Sequence, residues 1–233
     1  MWWIVAILLA IAFIVGTAIA ISKSFPNKDW GNSQDSWTPV HQNWDEHEIK
    51  KYGAAGENYV SDHLLGLVKH FNGLLFNDFC FEDNEGYSSE IDHIVVTRGG
   101  IFVIETKTNK GTIIGSKDDE YWQCIKKSYQ EDKVLKNPIK QNLGHINHLR
   151  KMFGNNCHKM ESIIIFPVAD ISNLACDNVY NVKDAVEHIK QKTLENKYSE
   201  DFVKKANSKL IDIKIRFGIT KEEHIKNIRE RIN

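Results

Sequence analysis

Two consecutive apolar strands separated by a glycine turn constrain this chain more than any other feature. Glu90-Ile91-Asp92-His93-Ile94-Val95-Val96 runs into Thr97-Arg98-Gly99-Gly100 and then into Ile101-Phe102-Val103-Ile104-Glu105-Thr106-Lys107. Side chains alternate faces along a strand, so Glu105 and Lys107 share a face with Ile101 and Val103. If Arg98-Gly99 is a two-residue hairpin loop, Asp92 lies directly opposite Glu105, with Cβ atoms about 4.5–5.5 Å apart. A four-residue loop keeps both on one face; a three-residue loop moves Asp92 opposite Thr106 and onto the other. Two carboxylates that close repel unless a divalent cation sits between them. With Lys107 one pleat further on, the pattern predicts metal-assisted phosphodiester cleavage. The plainer alternative is a pair of surface acids. Against it, Ile91, Ile94, Val95, Val96, Val103 and Ile104 surround the pair, and buried carboxylates need partners.

The net charge of −1 excludes a uniformly basic nucleic-acid coat. Charge is uneven, however. Tyr121 to Met160 holds eight basic residues and two acids, enough to attract a phosphate backbone or simply to form a solvated face. Cys80, Cys124, Cys157 and Cys176 stand singly, with no CxxC pair, which argues against a zinc ribbon or a disulfide framework.

Trp2 to Ile21 is uncharged and almost wholly apolar. Twenty helical residues span about 30 Å, the thickness of a hydrocarbon core. A cleaved signal peptide competes with this reading, but it has a basic start and a shorter apolar stretch. Residues 1–22 therefore read as a transmembrane anchor. Lys23 and Lys28 follow the span, so the positive-inside rule places the bulk of the chain in the cytoplasm. Residues 23–45 read as a polar linker, residues 46–195 as a catalytic-type domain, and residues 196–233 as a helical extension.

Helical spacing of Val60, Leu64, Leu67 and Val68 predicts a helix from about Glu46 to Lys69, with Glu57 projecting beside Gly56. Leu74 to Phe81 is the first strand, ahead of the hairpin. Thr112-Ile113-Ile114 is a short strand. A helix opens at Asn137-Pro138 and runs to about Met152. Ser162 to Val168 is a buried strand, Asn178 to Val182 another short one, and Asp184 to Lys192 and Thr220 to Ile232 are amphipathic helices. This order predicts an α/β (α+β) layer fold with a central mixed sheet flanked by helices.

Taken in sequence, Gly56-Glu57, Glu90-Ile91-Asp92-His93, Glu105-Thr106-Lys107, Tyr121-Trp122 and Asn137-Pro138-Ile139-Lys140-Gln141 resemble the NERD, or nuclease-related, domain. That family belongs to the PD-(D/E)XK nuclease superfamily. The resemblance covers about Lys50 to Lys192. Ile91 stands where the superfamily name has Pro. The likeness implies a restriction-endonuclease-like core acting on nucleic acid, with DNA ahead of RNA. It also implies Mg²⁺ or Mn²⁺ held by Asp92 and Glu105, with the carbonyl of Thr106 completing the protein ligands.

The candidate site is then Asp92, Glu105 and Thr106 for the metal and Lys107, Glu57 and Gln141 for catalysis. Lys107 would stabilise developing charge or hold the attacking water, and Gln141 would orient that water or a phosphate. A helix-surface acid and a capping amide are the plainer readings of Glu57 and Gln141. Lys126, Lys127, Lys136, Lys140, Arg150 and Lys151 are the candidate nucleic-acid contacts. Tyr121 and Trp122 are offered either to a stacked base or to the core. His93 alternates away from Asp92 and reads as a packed core histidine. His145 and His148, one turn apart, lack a third ligand for zinc, and His148 to Lys151 reads as phosphate-facing surface. The whole is a membrane-anchored, magnesium-dependent phosphodiester hydrolase. Its alternative is a catalytically silent nucleic-acid-binding or protein-interaction module at the membrane.

Overall fold

The computed structural model describes residues 46–126, 132–154 and 159–232, all within one compact unit. The apolar N-terminal span, the polar linker and Lys127 lie outside the described residues. Among the described residues no helix is long and apolar enough to cross a membrane.

The chain begins with α1 (Glu46–His70) and three strands, β1 (Leu74–Glu82), β2 (Ser88–Thr97) and β3 (Gly100–Thr106). Three short strands follow: β4 (Thr112–Ile114), β5 (Tyr121–Ile125) and β6 (Lys133–Lys136). Helix α2 (Pro138–Phe153) leads to β7 (Met160–Ile165) and β8 (Val179–Tyr180). The chain ends with α3 (Val182–Leu194), α4 (Glu200–Phe217) and α5 (Lys221–Ile232).

The central sheet has the order β1-β2-β3-β7-β8. The first three strands are antiparallel, and β3, β7 and β8 are parallel, so the sheet is mixed as expected. Every residue of β3 is buried, because helices cover both faces. On one side Ile94, Val96, Ile101 and Val103 pack with Ile146 and Leu149 of α2 and with Leu210 and Ile213 of α4. On the other, Val95, Phe102 and Ile104 pack with Val60 and Leu64 of α1 and Ile189 of α3.

The small antiparallel sheet β4-β5-β6 appeared in the sequence only as Thr112–Ile114. Its strands are short, and tertiary contacts hold them. Trp122 is fully buried against Phe166 and donates its indole N–H to the Ser116 carbonyl at 2.7 Å, so it is a core residue and not a base-stacking one. Helix α4 was not legible as a separate element. Phe202, Val203, Ala206, Leu210 and Ile213 form its buried face, while Ile211 and Ile215 are exposed.

Candidate metal centre

The β2–β3 ladder runs from Thr97↔Gly100 to His93↔Ile104. The loop is therefore Arg98-Gly99, and Asp92 stands opposite Glu105 one step past the last bonded pair. On its other side Asp92 faces Asp78 by count, and the β1–β2 pairing skips both. Asp78 has a left-handed φ of 47° and interrupts the ladder between the paired Asn77 and Phe79. Freed from regular pairing, Asp92 accepts the Thr106 N–H on Oδ2 at 2.6 Å.

Glu105 is 3 % exposed. Its Oε1 lies 2.6 Å from the Lys107 ammonium, which also donates to Gln141 Oε1 at 3.0 Å. Burial, followed by the charge of Glu105, pushes the Asp92 carboxyl well above the ordinary carboxylate range. Burial raises Glu105 too, against the pull of Lys107. With Glu105 paired to the one ammonium, Asp92 ionises readily only if a further cation joins the pair. All the oxygen donors are hard, which suits Mg²⁺ or Mn²⁺. Among the described residues no three His, Cys, Asp or Glu side chains gather as a metal cluster. An ion here would rest on Asp92, Glu105, a backbone carbonyl and water.

Gln141 reaches the centre because α2 is aimed by Asn137. That buried side chain accepts Ile139 N–H at 3.0 Å and donates to the carbonyls of Ser116, Lys117 and Asp119. One turn beyond Gln141, His145 Nε2 sits 3.7 Å from Glu105 Oε2 and has no hydrogen-bond partner among the described residues. Burial and the Lys107 charge lower its pKa to about 4, so the ring is neutral. The i+4 spacing of His145 from Gln141 is the sequence signal that both share one face of α2. His148 turns elsewhere, with Ser89 Oγ 2.7 Å from Nδ1 and Asp83 at 3.2 Å from Nε2. His148 is largely buried and Leu149 completely so, so the stretch to Lys151 is not a continuous phosphate-facing surface. His93 is a core histidine as read, bonded to Asn77 at 2.8 Å.

Glu57 approaches on α1. Its neighbour Gly56 lets the helix close on Thr108, since a Cβ there would stand 2.2 Å from the Thr108 methyl. Burial raises the Glu57 pKa, and Lys221 opposes the shift. Lys221 of α5 and Asp78 join the site with no signal in the sequence, whereas Glu90 shares a face with Asp92 by strand alternation.

The basic candidates do not form one patch. Lys136 ends β6 near the centre, close enough for its charge to act on His145. Lys140 is tied to Glu120 at 3.1 Å and to the Asp118 carbonyl at 2.9 Å. The half-buried Lys126 lies on β5's trailing edge, where its backbone N–H is bonded to Asp132. Arg150 and Lys151 occupy the last turn of α2, about 15 Å along the helix from Lys140.

A mixed sheet between helix layers, with an acidic pair and a lysine at the end of its central hairpin, defines a nuclease-type α/β domain. The comparison with known families agrees: residues 52–167 match the nuclease-related domain family, and the chain carries that domain there. The PD-(D/E)XK nucleases are its wider context. An uncharacterized protein of Bacillus anthracis is 34% identical over 109 residues, 46% of this chain. The alignment spans about half of that relative's length, 50%. No solved structure is significantly similar to the chain.

Proposed function

We propose that the chain is a membrane-anchored, divalent-metal-dependent nuclease. The observation that carries the reading is the opposed Asp92–Glu105 pair, Asp92 half-buried and Glu105 buried, with Lys107 on its edge. Bound Mg²⁺ or Mn²⁺ would supply charge neutralisation at the scissile phosphate and a more acidic water. Asp92 and Glu105 hold that ion, with the Thr106 carbonyl as a further ligand. Lys107, pinned between Glu105 and Gln141, presents a fixed ammonium to the charge that develops on phosphate oxygens. Gln141 keeps Lys107 oriented, and neutral His145 shields the Glu105 flank from water. Glu57 stands in reserve at the outer side. Lys136 leads the backbone of the nucleic acid towards the centre, and Tyr121, exposed and directly across the ladder from it, offers a ring for stacking. The apolar span from Trp2 to Ile21 anchors the domain, with lysines on its cytoplasmic side.

The test compares wild type with Asp92→Ala from the same purification, on DNA and RNA, single- and double-stranded, with Mg²⁺, Mn²⁺ or EDTA. Metal-dependent cleavage by wild type alone supports the reading, and equal cleavage by both indicts a contaminant. One observation favours a silent binding module: the Glu105 carboxylate is already paired with the Lys107 ammonium at 2.6 Å. Binding without cleavage on every substrate would select that alternative.

A further inference from the structure

The matched family ends at residue 167, but the last helix returns to the site. Gly218 bridges Phe81, and Ile219 N–H donates to the Cys80 carbonyl at 3.3 Å. His224 bonds Ser88 at 2.8 Å, Asn227 bonds Glu82, and the Arg231 guanidinium lies 4.0 Å over the Tyr87 ring. The N-terminus of α5 is locked by a reciprocal cap. Glu223 N–H donates to Thr220 Oγ1 at 3.1 Å, and Thr220 N–H donates to Glu223 Oε2 at 2.7 Å. Lys221 is the first residue of this fixed helix.

From there its ammonium reaches three carboxylates on three elements. It pairs with Glu90 of β2 and lies 3.8 Å from Glu57 of α1 and 3.9 Å from Asp78 of β1. Partial burial works against the charged form. The Glu90 hydrogen bond and the surrounding acids outweigh it, and the pKa rises. These acids are electrically continuous with the metal centre, because Glu57 acts on both Asp92 and Glu105.

A divalent ion takes carboxylate oxygens at roughly 2.0–2.6 Å. An ion shared by Glu57, Asp78 and Glu90 would need the space the ammonium fills. Many phosphodiester-cleaving centres use two ions about 3.5–4 Å apart. Here the second acidic group already has its cation, supplied by the chain. We propose that Lys221 is the built-in counter-ion of the Glu57–Asp78–Glu90 cluster and restricts the centre to a single divalent ion. This rests on the nuclease reading for the ion at Asp92 and Glu105. A resident ammonium differs from a second metal in one respect that matters: it has no open position for a water or a phosphate oxygen.

The experiment is a Mn²⁺ titration of the full chain, read by calorimetry and by the paramagnetic resonance signal of free Mn²⁺. Wild type and Lys221→Arg take up one ion. Lys221→Gln and Lys221→Met take up two, and adding Glu90→Gln to Lys221→Gln returns the count to one. Thermal melting identifies any variant that is not folded, and either neutral variant alone carries the comparison. Two ions in wild type, or one ion in the folded Lys221→Gln and Lys221→Met chains, overturns the proposal and leaves the nuclease reading standing. No ion in wild type but one in Lys221→Gln supports the Lys221 assignment and sinks the ion at Asp92. No ion in any variant overturns both.

Discussion

Asp92 is the residue on which the chemistry turns, and its burial has a consequence that can be measured without any substrate. Its native pKa lies above the unfolded value of about 3.9, so the folded state keeps a proton that the unfolded state has lost. Stability of the metal-free protein is therefore expected to rise as pH falls from neutral through the raised pKa. Asp92→Asn should be more stable than wild type at neutral pH and lose this dependence. Melting curves of both proteins in EDTA, at neutral and mildly acidic pH, check the sign. A stability gain alongside abolished cleavage would mark a carboxylate kept for function. Lys107→Ala leaves the ion's ligands in place and removes one fixed charge, which typically costs about 10²–10³ in rate. Single-turnover cleavage at saturating Mn²⁺ separates that loss from weakened ion binding.

The elements that deliver these residues are held by a few positions whose role is steric. Gly56 and Gly53 lie one turn apart on α1 and should respond oppositely to alanine. At Gly53 nothing stands within 4 Å of an added Cβ, so Gly53→Ala should stabilise the helix by about 0.5–1 kcal/mol. At Gly56 the added atom meets the Thr108 methyl at 2.2 Å, so either the Thr108 side chain or the helix carrying Glu57 must shift. Chemical denaturation of the two variants gives the comparison, with Gly56→Ala the less stable. Asn137→Ala strips the cap of α2 and removes the amide that donates to the carbonyls of Ser116, Lys117 and Asp119, of which Ser116 keeps the Trp122 indole N–H. A loss of at least about 2 kcal/mol is expected, seen as a fall in Tm of at least about 4 °C for a chain of this size. Gly99 lies in the hairpin turn, and its φ is not left-handed. It is glycine because a Cβ would stand 2.6 Å from the Lys192 backbone of α3.

For the molecule as a whole, the family boundary and the folding boundary do not coincide. Phe202, Val203, Ala206, Leu210 and Ile213 of α4 share a core with Phe79, Phe81 and Ile91. A chain ending at Glu195 uncovers that face and should lose its cooperative thermal transition, followed by circular dichroism. A sharp transition in the shortened chain would show that the extension is dispensable. At the N-terminus, a C-terminal reporter on the full chain should behave as cytoplasmic. Digestion of the C-terminal domain by protease added to intact cells would reverse the assigned orientation.

Local pattern determined the hairpin and the order of most helices and strands, and it limited the register to a few loop lengths, of which the two-residue loop sets Asp92 opposite Glu105. These depend on alternation, loop length and caps, which act over a few residues. The nuclease family was legible for the same reason, since its motifs lie on contiguous segments. Tertiary structure alone decided that Trp122 is core, that His145 borders Glu105, and that α2 spreads the basic residues along its length instead of gathering them. It also decided that Lys221, over a hundred residues from Asp92, completes the acidic cluster. No sequence period links such positions. They meet because α4 buries an apolar face against β1 and β2, and the polar contacts that α5 then makes with those strands, His224 to Ser88 and Asn227 to Glu82, carry Lys221 to three carboxylates.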